Sequence, residues 1–198
     1  MKEKKPYLSQ NSGNNEWYTP NYIIDAARNT MGSIDLDPAS SAIANQTVRA
    51  EKYYTKEDDG LMQPWFGNIW LNPPYCRSLI SQFSSATIIK RPDYDQAIVL
   101  VNNATETRWF QDLLRNCNSF CIFNGRIKFI DVDGKTCGTS LQGQIIFYFG
   151  SNLQKFKENF SPFGILCNPM SESSLKYHMT LIEKRLFNNP LSFNVLCA

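Results

Sequence analysis

The sequence has one histidine, little excess charge and no long apolar run. The single histidine, His178, excludes a mechanism or a metal site that needs two. The six cysteines form no Cys-x-x-Cys pair and no zinc-ligand spacing, so we expect reduced thiols and no bound metal. No stretch approaches the roughly 20 apolar residues of a membrane span, and residues 1–10 are too polar for a secretory signal. These absences predict a soluble cytoplasmic protein with no membrane partner.

What the chain does contain fits one globular domain. Its 198 residues are 42% hydrophobic and 19% charged, which is enough apolar sequence for a full core. The net charge is +2 and unevenly spread, because residues 1–99 carry ten Lys and Arg against eleven Asp and Glu, whereas residues 100–198 carry ten against seven. This balance permits a polyanionic partner without requiring one, since non-specific nucleic-acid binders usually have a larger basic excess.

Apolar periodicity predicts helices and strands that alternate along the chain. The first helix begins at Thr19-Pro20, with a capping hydroxyl before a proline, and Asp133-Gly134 forms a hairpin turn. The predicted strands cover about 34–37, 68–71, 96–101, 119–123 and 144–149. The later predicted helices cover about 78–90, 107–115, 152–160 and 175–186. We therefore expect an α/β fold with a mostly parallel sheet that finishes in a β-hairpin.

The domain organisation follows from composition. Residues 1–16 are polar and rich in Lys, Ser and Asn, which predicts a flexible N-terminal arm. Residues 17–166 hold the alternating elements and form the main domain, and residues 167–198 form a C-terminal helical extension. No internal repeat divides the chain.

The sharpest chemical signal is Asn72-Pro73-Pro74-Tyr75, directly after a predicted strand. Each proline pushes the preceding residue toward an extended conformation, so Asn72 is held at a strand's carboxyl end, where α/β sheets bind ligands. The loop offers two acceptors, the Asn72 amide oxygen and the Pro73 carbonyl, with the Tyr75 ring beside them. The alternative is that Pro-Pro-Tyr simply turns the chain.

These groups suit an exocyclic amino group on a flat ring. The two acceptors take both N–H hydrogens, and stacking on Tyr75 contributes about 1–3 kcal/mol. An aryl amine is a poor nucleophile because its lone pair is delocalised, and two hydrogen bonds favour a pyramidal nitrogen that attacks an electrophilic methyl. No histidine base is required, since the proton leaves after the methyl arrives. The loop therefore predicts methyl transfer to an amine.

Two acidic positions are candidate ligand contacts. Asp37-Pro38 closes a predicted strand, and a carboxylate there can accept a charge-assisted hydrogen bond from an ammonium group. Asp58 and Asp59 lie next to each other in an acidic turn that ends at Gly60. Each position is also compatible with a solvated turn.

Three cations are candidate nucleic-acid contacts. Arg126 and Lys128 alternate with apolar residues, which places both on one face of a predicted strand. Together with Arg108 they can contact phosphates, each contact adding salt-dependent affinity. Solvated charge is the alternative for each of them.

Six segments in order resemble the phage-type DNA N-6-adenine methyltransferase family, over about residues 16–166. The segments are Glu16-Trp17-Tyr18-Thr19-Pro20, Asp35-Leu36-Asp37-Pro38-Ala39, Tyr53-Tyr54-Thr55-Lys56-Glu57-Asp58-Asp59-Gly60-Leu61, Trp70-Leu71-Asn72-Pro73-Pro74-Tyr75, Thr105-Glu106-Thr107-Arg108-Trp109-Phe110 and Gly125-Arg126-Ile127-Lys128-Phe129. The resemblance implies a Rossmann-like fold, S-adenosylmethionine as cofactor, and transfer of its methyl group to N6 of adenine in DNA. Because little of the sequence is available for a separate recognition domain, we expect a short or relaxed target sequence.

The resemblance also implies roles for individual residues. Thr19 and Pro20 lie beside the methionine end of the cofactor, and Asp59 binds its adenine amino group. The first cofactor motif contains Asp35, Asp37 and Pro38. The catalytic loop contains Asn72, Pro73, Pro74 and Tyr75.

One departure concerns the first cofactor motif, where Ser40-Ser41-Ala42 stands in place of the family's glycines. Two rival functions remain. A pocket of this type also serves enzymes that methylate RNA or protein glutamine, and a decayed fold can serve as a non-catalytic nucleic-acid-binding module.

Overall fold

The computed structural model describes residues 18–130 and 142–169, and every structural statement below concerns this part of the chain. The chain divides into two units after Asn168, and the elements below belong to the first. The described residues contain the helices Asn21–Met31 (α1), Ala42–Val48 (α2), Arg77–Ile89 (α3), Arg108–Asn116 (α4) and Leu153–Phe160 (α5). They contain the strands Leu36–Asp37 (β1), Lys52–Tyr53 (β2), Asn68–Leu71 (β3), Gln96–Asn102 (β4), Ser119–Phe123 (β5), Gln144–Phe149 (β6) and Gly164–Cys167 (β7). None of these helices has the length and apolar character needed to span a bilayer.

The strands form one sheet in the order β2-β1-β3-β4-β6-β5-β7. The pairs β2–β1, β1–β3 and β3–β4 are parallel, whereas β4–β6, β6–β5 and β5–β7 are antiparallel. The α/β class is therefore confirmed, but the expectation of a mostly parallel sheet is wrong. The physical reason is that β6 lies between β4 and β5 and runs against both, and the edge strand β7 runs against β5, so half of the six strand pairs are antiparallel.

Two apolar layers cover the two faces of this sheet. Alternate residues of β4 point to opposite faces, so Ile98 and Leu100 pack with α1 and α5, while Val99 and Val101 pack with α3 and α4. All six residues of β6 are buried. Burial on both faces explains why residues 97–101 of β4 and 145–149 of β6 are continuous apolar runs. These two strands support the loops that leave the sheet.

One edge of the sheet collects the strand ends that precede the loops. Ile145 of β6 pairs with Val101 near the end of β4 and with Ile122 near the end of β5. Strands β4 and β5 therefore flank β6 and end at the same edge of the sheet. The parallel strands β1, β2 and β3 end at the same edge as β4. We call this the carboxyl edge, and the segments 38–41, 72–76 and 124–130 all leave from it.

The element predictions hold best for long apolar runs. The strands β3, β5 and β6 have the predicted bounds, and β4 is one residue longer than predicted. The predicted capping role of Thr19 is wrong, because Pro20 is the residue that precedes α1 and no side chain caps the helix. The Thr19 hydroxyl has a different partner, described below.

Some elements of the structure were not predicted, and some predictions concern residues outside the described part of the chain. Helix α2 and strands β2 and β7 were not predicted. Residues 126–129 belong to no strand, yet the predicted alternation is present, because Arg126 and Lys128 are exposed while Ile127 and Phe129 are buried. The N-terminal arm, the Asp133-Gly134 turn and the C-terminal extension after residue 169 lie outside the described residues, so the domain bounds remain a prediction.

Candidate active site at the carboxyl edge

A cavity of about 450 Å³ opens at the carboxyl edge, between the ends of β1 and β3. This volume lies within the range of small-molecule sites in proteins, roughly 300–1,000 Å³. Among the described residues, its lining comes entirely from residues 18–83. The lining includes these residues predicted from the sequence: Thr19, Asp37, Pro38, Asp59, Asn72, Pro73, Pro74 and Tyr75.

Asn72 follows β3 directly and is half-buried in the cavity wall. Its side-chain Nδ2 donates a hydrogen bond to Oγ1 of Thr19 at 3.2 Å. Its Oδ1 accepts a hydrogen bond from the Tyr75 hydroxyl at 2.8 Å. The amide is therefore held between two hydroxyl groups, one of them from a residue 53 positions away in the sequence.

The two prolines complete the loop. Pro73 is buried and Pro74 is half-buried, and both line the cavity. Among the described residues, none donates a hydrogen bond to the Pro73 carbonyl. A carbonyl in this position keeps its accepting capacity for a ligand.

Tyr75 was predicted to provide a stacking surface, and the structure adds a hydrogen bond from its hydroxyl to Asn72. The ring packs against the core layer that contains Phe83 and Leu71. Burial raises the pKa of the Tyr75 phenol above its ordinary value, so the hydroxyl stays protonated and remains a donor. The sequence carried no signal for this bond, because it depends on side-chain geometry three residues apart.

Asp37 ends β1 and is a buried carboxyl group at 3% exposure. Burial raises its pKa to about 7, opposed by the Ser40 side chain and by the Ala39 backbone N–H, which donates to Oδ1 at 3.2 Å. Ser40 is close enough to affect the carboxyl group, but its buried Oγ forms no hydrogen bond of normal geometry with any described residue. The cavity wall thus holds a carboxyl group with a pKa of about 7. Beside it lies a buried hydroxyl group that has no hydrogen-bond partner among the described residues.

The acidic turn after β2 closes the other side of the cavity. Asp59 is exposed, has a positive φ of 51° and lines the cavity. Asp58 instead accepts hydrogen bonds from the Thr55 backbone N–H and hydroxyl, both at 2.8 Å, and these bonds lower its pKa. At Gly60, an added Cβ would lie 1.9 Å from the Pro38 carbonyl oxygen, so glycine allows the turn to pack directly on that segment.

Two of the predicted cofactor contacts lie outside the cavity lining. The Asp35 carboxylate accepts a hydrogen bond from the Asn68 backbone N–H at 2.8 Å, which joins β1 to the start of β3. Pro20 begins the first turn of α1 and likewise does not line the cavity. The structure therefore gives both residues a place in the scaffold instead of in the cavity wall.

The departure at Ser40-Ser41 has a structural explanation. Ser41 is the N-cap of α2, and its Oγ accepts a hydrogen bond from the Ala44 backbone N–H at 3.1 Å. The chain therefore enters a short helix soon after β1, at the position where the family has glycines. Ser40, Ser41 and Ala44 all line the cavity, and sequence reasoning did not identify them as site residues.

The predicted nucleic-acid contacts lie outside the cavity. Arg126 and Lys128 are exposed on the segment that leaves the carboxyl edge after β5. Arg108 begins α4, with a side chain 96% exposed and a 3.8 Å ion pair to Asp112. Within the described ranges, no group of three or more His, Cys, Asp or Glu side chains is arranged to hold a metal ion.

An α/β chain that brings an acidic strand end and an Asn-Pro-Pro-Tyr loop into one cavity has the arrangement of an amino-methyltransferase. A family model described as DNA N-6-adenine-methyltransferase (Dam) matches residues 8–176, and the chain belongs to that family. A curated DNA N-6-adenine-methyltransferase from Escherichia phage T1 is 29% identical over 136 residues.

That alignment covers 68% of this chain and 54% of the phage protein, so the chain spans about half the length of this relative. No solved structure matches the chain. The comparisons thus establish the family from sequence.

Proposed function

We propose that this protein transfers a methyl group from S-adenosylmethionine to the exocyclic N6 amino group of adenine in DNA. The observation that carries the proposal is that Asn72 and Asp37 line the same cavity. Membership of the DNA N-6-adenine-methyltransferase (Dam) family supports the choice of base and polymer. The name of the phage T1 relative agrees with it.

We propose a Rossmann-like fold as the scaffold for this reaction. The strand order β2-β1-β3-β4 reverses direction between β1 and β3, which creates a topological switch point. Ligands in open α/β sheets bind outside the carboxyl ends of the strands at such a point. The cavity lies there, which supports this assignment.

The cavity residues fit S-adenosylmethionine. When bound, this cofactor supplies an electrophilic methyl group on a positively charged sulfur. The Asp37 carboxylate would accept a hydrogen bond from the ammonium group of its methionine part, which would lower the pKa of Asp37 again. The buried Ser40 hydroxyl offers an unsatisfied polar atom in the same wall, and Asp59 would accept from the adenine amino group.

The catalytic loop would bind the substrate amine. Oδ1 of Asn72 and the Pro73 carbonyl each accept one amine hydrogen, which frees the nitrogen lone pair for attack. An amide oxygen accepts two hydrogen bonds, so Oδ1 can keep its bond from Tyr75 while it takes one from the substrate. The ring of Tyr75 supplies the adjoining flat surface, and Pro74 holds the loop in the cavity wall.

The DNA would lie across the carboxyl edge. The target adenine must leave the duplex stack, because its amino group is otherwise paired. Arg126 and Lys128 leave the same edge as Asn72, and Arg108 starts the helix that follows β4, so all three can meet phosphates beside an extruded base. These contacts fix position and not sequence, which supports a short target sequence. Acting on DNA of a bacterial host, the enzyme would work in the cytoplasm.

The test is transfer of labelled methyl groups to unmethylated DNA, followed by nucleoside analysis. The expected product is N6-methyladenine. Asn72→Ala serves as the control and should reduce incorporation about 10²- to 10³-fold without changing the unfolding midpoint. Label on another nucleoside, or equal incorporation by the variant, would overturn the proposal.

The same assay separates the rival functions. RNA and a glutamine-containing peptide are offered in parallel with DNA, and incorporation into either one alone would replace the DNA assignment. Calorimetry with S-adenosylmethionine addresses the non-catalytic module, since a decayed fold should give no saturable heat.

A further inference from the structure

A second cavity, of about 130 Å³, lies at the carboxyl edge, and the proposed function assigns no ligand to it. We call it the Tyr22 pocket, and the described residues that line it are Tyr22, Phe123, Asn124, Gly125, Arg126, Ile127, Pro162 and Phe163. Its volume is below the roughly 300–1,000 Å³ of small-molecule sites, so it suits one flat ring system and not a cofactor. On the basis of the proposed function, we propose that the Tyr22 pocket binds, by stacking, a nucleobase that neighbours the target adenine in the DNA.

The pocket has aromatic walls whose rings hold one another in place. The Tyr22 ring centroid lies 5.4 Å from that of Phe163. Phe163 in turn stacks on Phe123, with 6.3 Å between the centroids and 26° between the planes. The edge of Phe163 also meets the fully buried Phe160, at 6.1 Å between the centroids. Because the rings are already ordered, a flat ligand that packs on them costs little side-chain entropy.

Tyr22 presents much of its ring to solvent. It is 48% exposed, whereas the next two residues of α1, Ile23 and Ile24, are buried in the core. The Tyr22 hydroxyl forms no hydrogen bond with any described residue. Partial burial raises the pKa of this phenol, so the hydroxyl stays protonated and can donate to a base or a phosphate. The side chain thus offers an apolar face and a polar tip to a ligand.

The polar part of the pocket matches the charge of a nucleotide. Arg126 is exposed, and no acidic side chain is among the described residues that line the pocket. Lys128 is exposed two residues further along the same segment. The exposed Asn124 amide can both donate to and accept from the edge of a base. Aromatic rings beside cations are the combination that binds single-stranded nucleic acid.

One short segment joins the Tyr22 pocket to the larger cavity. Tyr18 and Thr19 line the larger cavity, and Tyr22 follows in the first turn of α1. The three residues from Thr19 to Tyr22 span at most about 11 Å. A DNA strand advances about 3.4 Å per nucleotide in a duplex, so the pocket is within reach of bases a few nucleotides from the target.

The two walls of the pocket are also tied to each other. Tyr18, at the start of the segment that carries Tyr22, exchanges two backbone hydrogen bonds with Ile130, each of 2.9 Å. Ile130 ends the described part of the segment that carries Arg126. The Asn124 backbone N–H donates to the Phe163 carbonyl at 2.9 Å. The rings and the cation are therefore held together before a ligand arrives.

Exposure of an aromatic ring does not by itself make such a site. Phe66 is 41% exposed, yet it lines neither of the two cavities. It precedes β3, so it lies at the edge of the sheet opposite the carboxyl edge. Phe66 is therefore a matched control for Tyr22.

The decisive experiment measures the affinity of the full chain for a labelled single-stranded DNA with one adenine among pyrimidines, by fluorescence anisotropy. Tyr22→Ala should weaken binding about 5- to 150-fold, which is the usual contribution of one stacked base. Tyr22→Phe keeps the ring and should stay within about twofold of wild type. Phe66→Ala should leave the affinity unchanged. The slope of log affinity against log salt should be the same for Tyr22→Ala and wild type, because stacking releases no counterions.

A second variant covers the other wall of the pocket. Phe163→Leu keeps an apolar side chain and removes the ring, so it should weaken binding in the same direction as Tyr22→Ala. Urea unfolding of each variant shows that the protein measured is folded. Wild-type affinity in Tyr22→Ala, or a salt slope that falls in this variant, would overturn the proposal.

Removal of single bases tests the contact from the side of the DNA. Each nucleotide near the adenine is replaced in turn by an abasic one, which keeps the phosphate and loses the ring. At one position the loss for wild type should match that of Tyr22→Ala, and the variant should lose nothing further there. The absence of any such position would overturn the proposal.

Failure of the proposed function gives a different result from failure of this inference. Without methyl transfer to DNA by wild type, coupling between Tyr22 and one abasic position would still support the pocket, since binding needs no turnover. Methyl transfer by wild type without that coupling would overturn the pocket alone. A second copy of the chain as the occupant would change the sedimentation of Tyr22→Ala and not its DNA affinity, which would also overturn the proposal.

Discussion

The two halves of the sheet differ in what their strands are used for. The parallel strands β1, β2 and β3 have two, two and four residues, and the loops that follow β1 and β3 build the cavity. The antiparallel strands β6, β5 and β7 have six, five and four residues, and none of them lines the cavity. The short parallel strands lead directly into loops that line the cavity, whereas the longer antiparallel strands support the rest of the sheet.

The charge distribution follows the same division. The cavity lining ends at residue 83, within the half of the chain whose Asp and Glu outnumber its Lys and Arg by one. The exposed Arg126 and Lys128 belong to the other half, where cations exceed acids by three. In the proposed function, the small ligand and the DNA therefore contact different stretches of sequence that meet at one edge. Four predictions test this division, in order of decreasing effect.

The largest effect is expected from the supporting half. Phe147 is fully buried in β6, with its ring centroid 5.2 Å from that of Phe110 and 6.1 Å from that of Phe120. Phe147→Ala should lower the free energy of unfolding by about 3–5 kcal/mol through the cavity it leaves. Urea unfolding measures this loss, while turnover per folded molecule should stay near wild type. Ile122→Ala, at a 40% exposed position of β5, should cost far less.

The next effect is expected at the catalytic loop. Asn72→Ala should reduce methyl transfer about 10²- to 10³-fold, because it removes an acceptor that acts on the reacting amine. Its unfolding midpoint should stay close to that of wild type. Asn68→Ala is the control at the other end of β3, where the side chain donates to Ser33 Oγ at 2.9 Å, and it should cost stability and spare turnover. The reverse pattern would refute the division of labour within this strand.

A smaller effect concerns the pH dependence of Asp37. Its folded pKa of about 7 lies above the ordinary value, so the folded protein binds more protons than the unfolded chain below pH 7. Stability of the ligand-free protein should therefore fall as pH rises from about 4 to about 7. Cofactor affinity should rise as pH passes through about 7, when the carboxylate becomes available to the ammonium group.

Asp37→Asn separates these two consequences. At pH 8 it should raise the melting temperature of the ligand-free protein by about 2–4 °C and weaken cofactor binding about tenfold or more. Differential scanning fluorimetry and calorimetry measure the two quantities. A variant that loses stability at pH 8 would show that the buried carboxylate is not a cost to the ligand-free fold.

The smallest effect is expected on the basic segment. Lys128→Ala should lower DNA affinity modestly and reduce the slope of log affinity against log salt by about one. Cofactor affinity should not change, since Lys128 lies outside the cavity lining. Lys155→Ala on α5 is the charge-matched control, and it should leave the salt slope unaltered. Equal slopes for both variants would remove this segment from the proposed DNA contact.

Sequence patterns predicted the buried centre of the fold because both faces of its strands are covered. The residues at 97–101 and 145–149 are continuous apolar runs, and a run of that kind can be recognised from the local sequence alone. Two-residue strands such as β2 carry no periodicity, and the run at Gly164–Cys167 is short and begins with a glycine, so neither strand was predicted. The direction of β6 depends on how the chain connects to it, which local sequence does not record.

The candidate site was predictable where the motif fixes backbone and side chain together. Asn72-Pro73-Pro74-Tyr75 lies in the cavity because two prolines leave the loop few conformations. Asp35 and Asp37 show the limit, since Asp37 at the end of β1 lines the cavity, whereas Asp35 just before β1 accepts a hydrogen bond from the Asn68 backbone N–H. Thr19 was predicted to cap α1, but its hydroxyl accepts a hydrogen bond from Asn72 instead. This contact is tertiary, and helix-capping rules consider only the local sequence.

The bridge between Tyr18 and Ile130 has a consequence for the order of assembly. Its two backbone hydrogen bonds join residues about 110 positions apart, so closing it carries a large loop entropy. During synthesis, Tyr18 emerges from the ribosome long before Ile130 exists, and the strands that carry the cavity are complete in the meantime. The bridge therefore closes late, and the part of the cavity wall formed by Tyr18 and Thr19 is fixed only after residue 130 has been made.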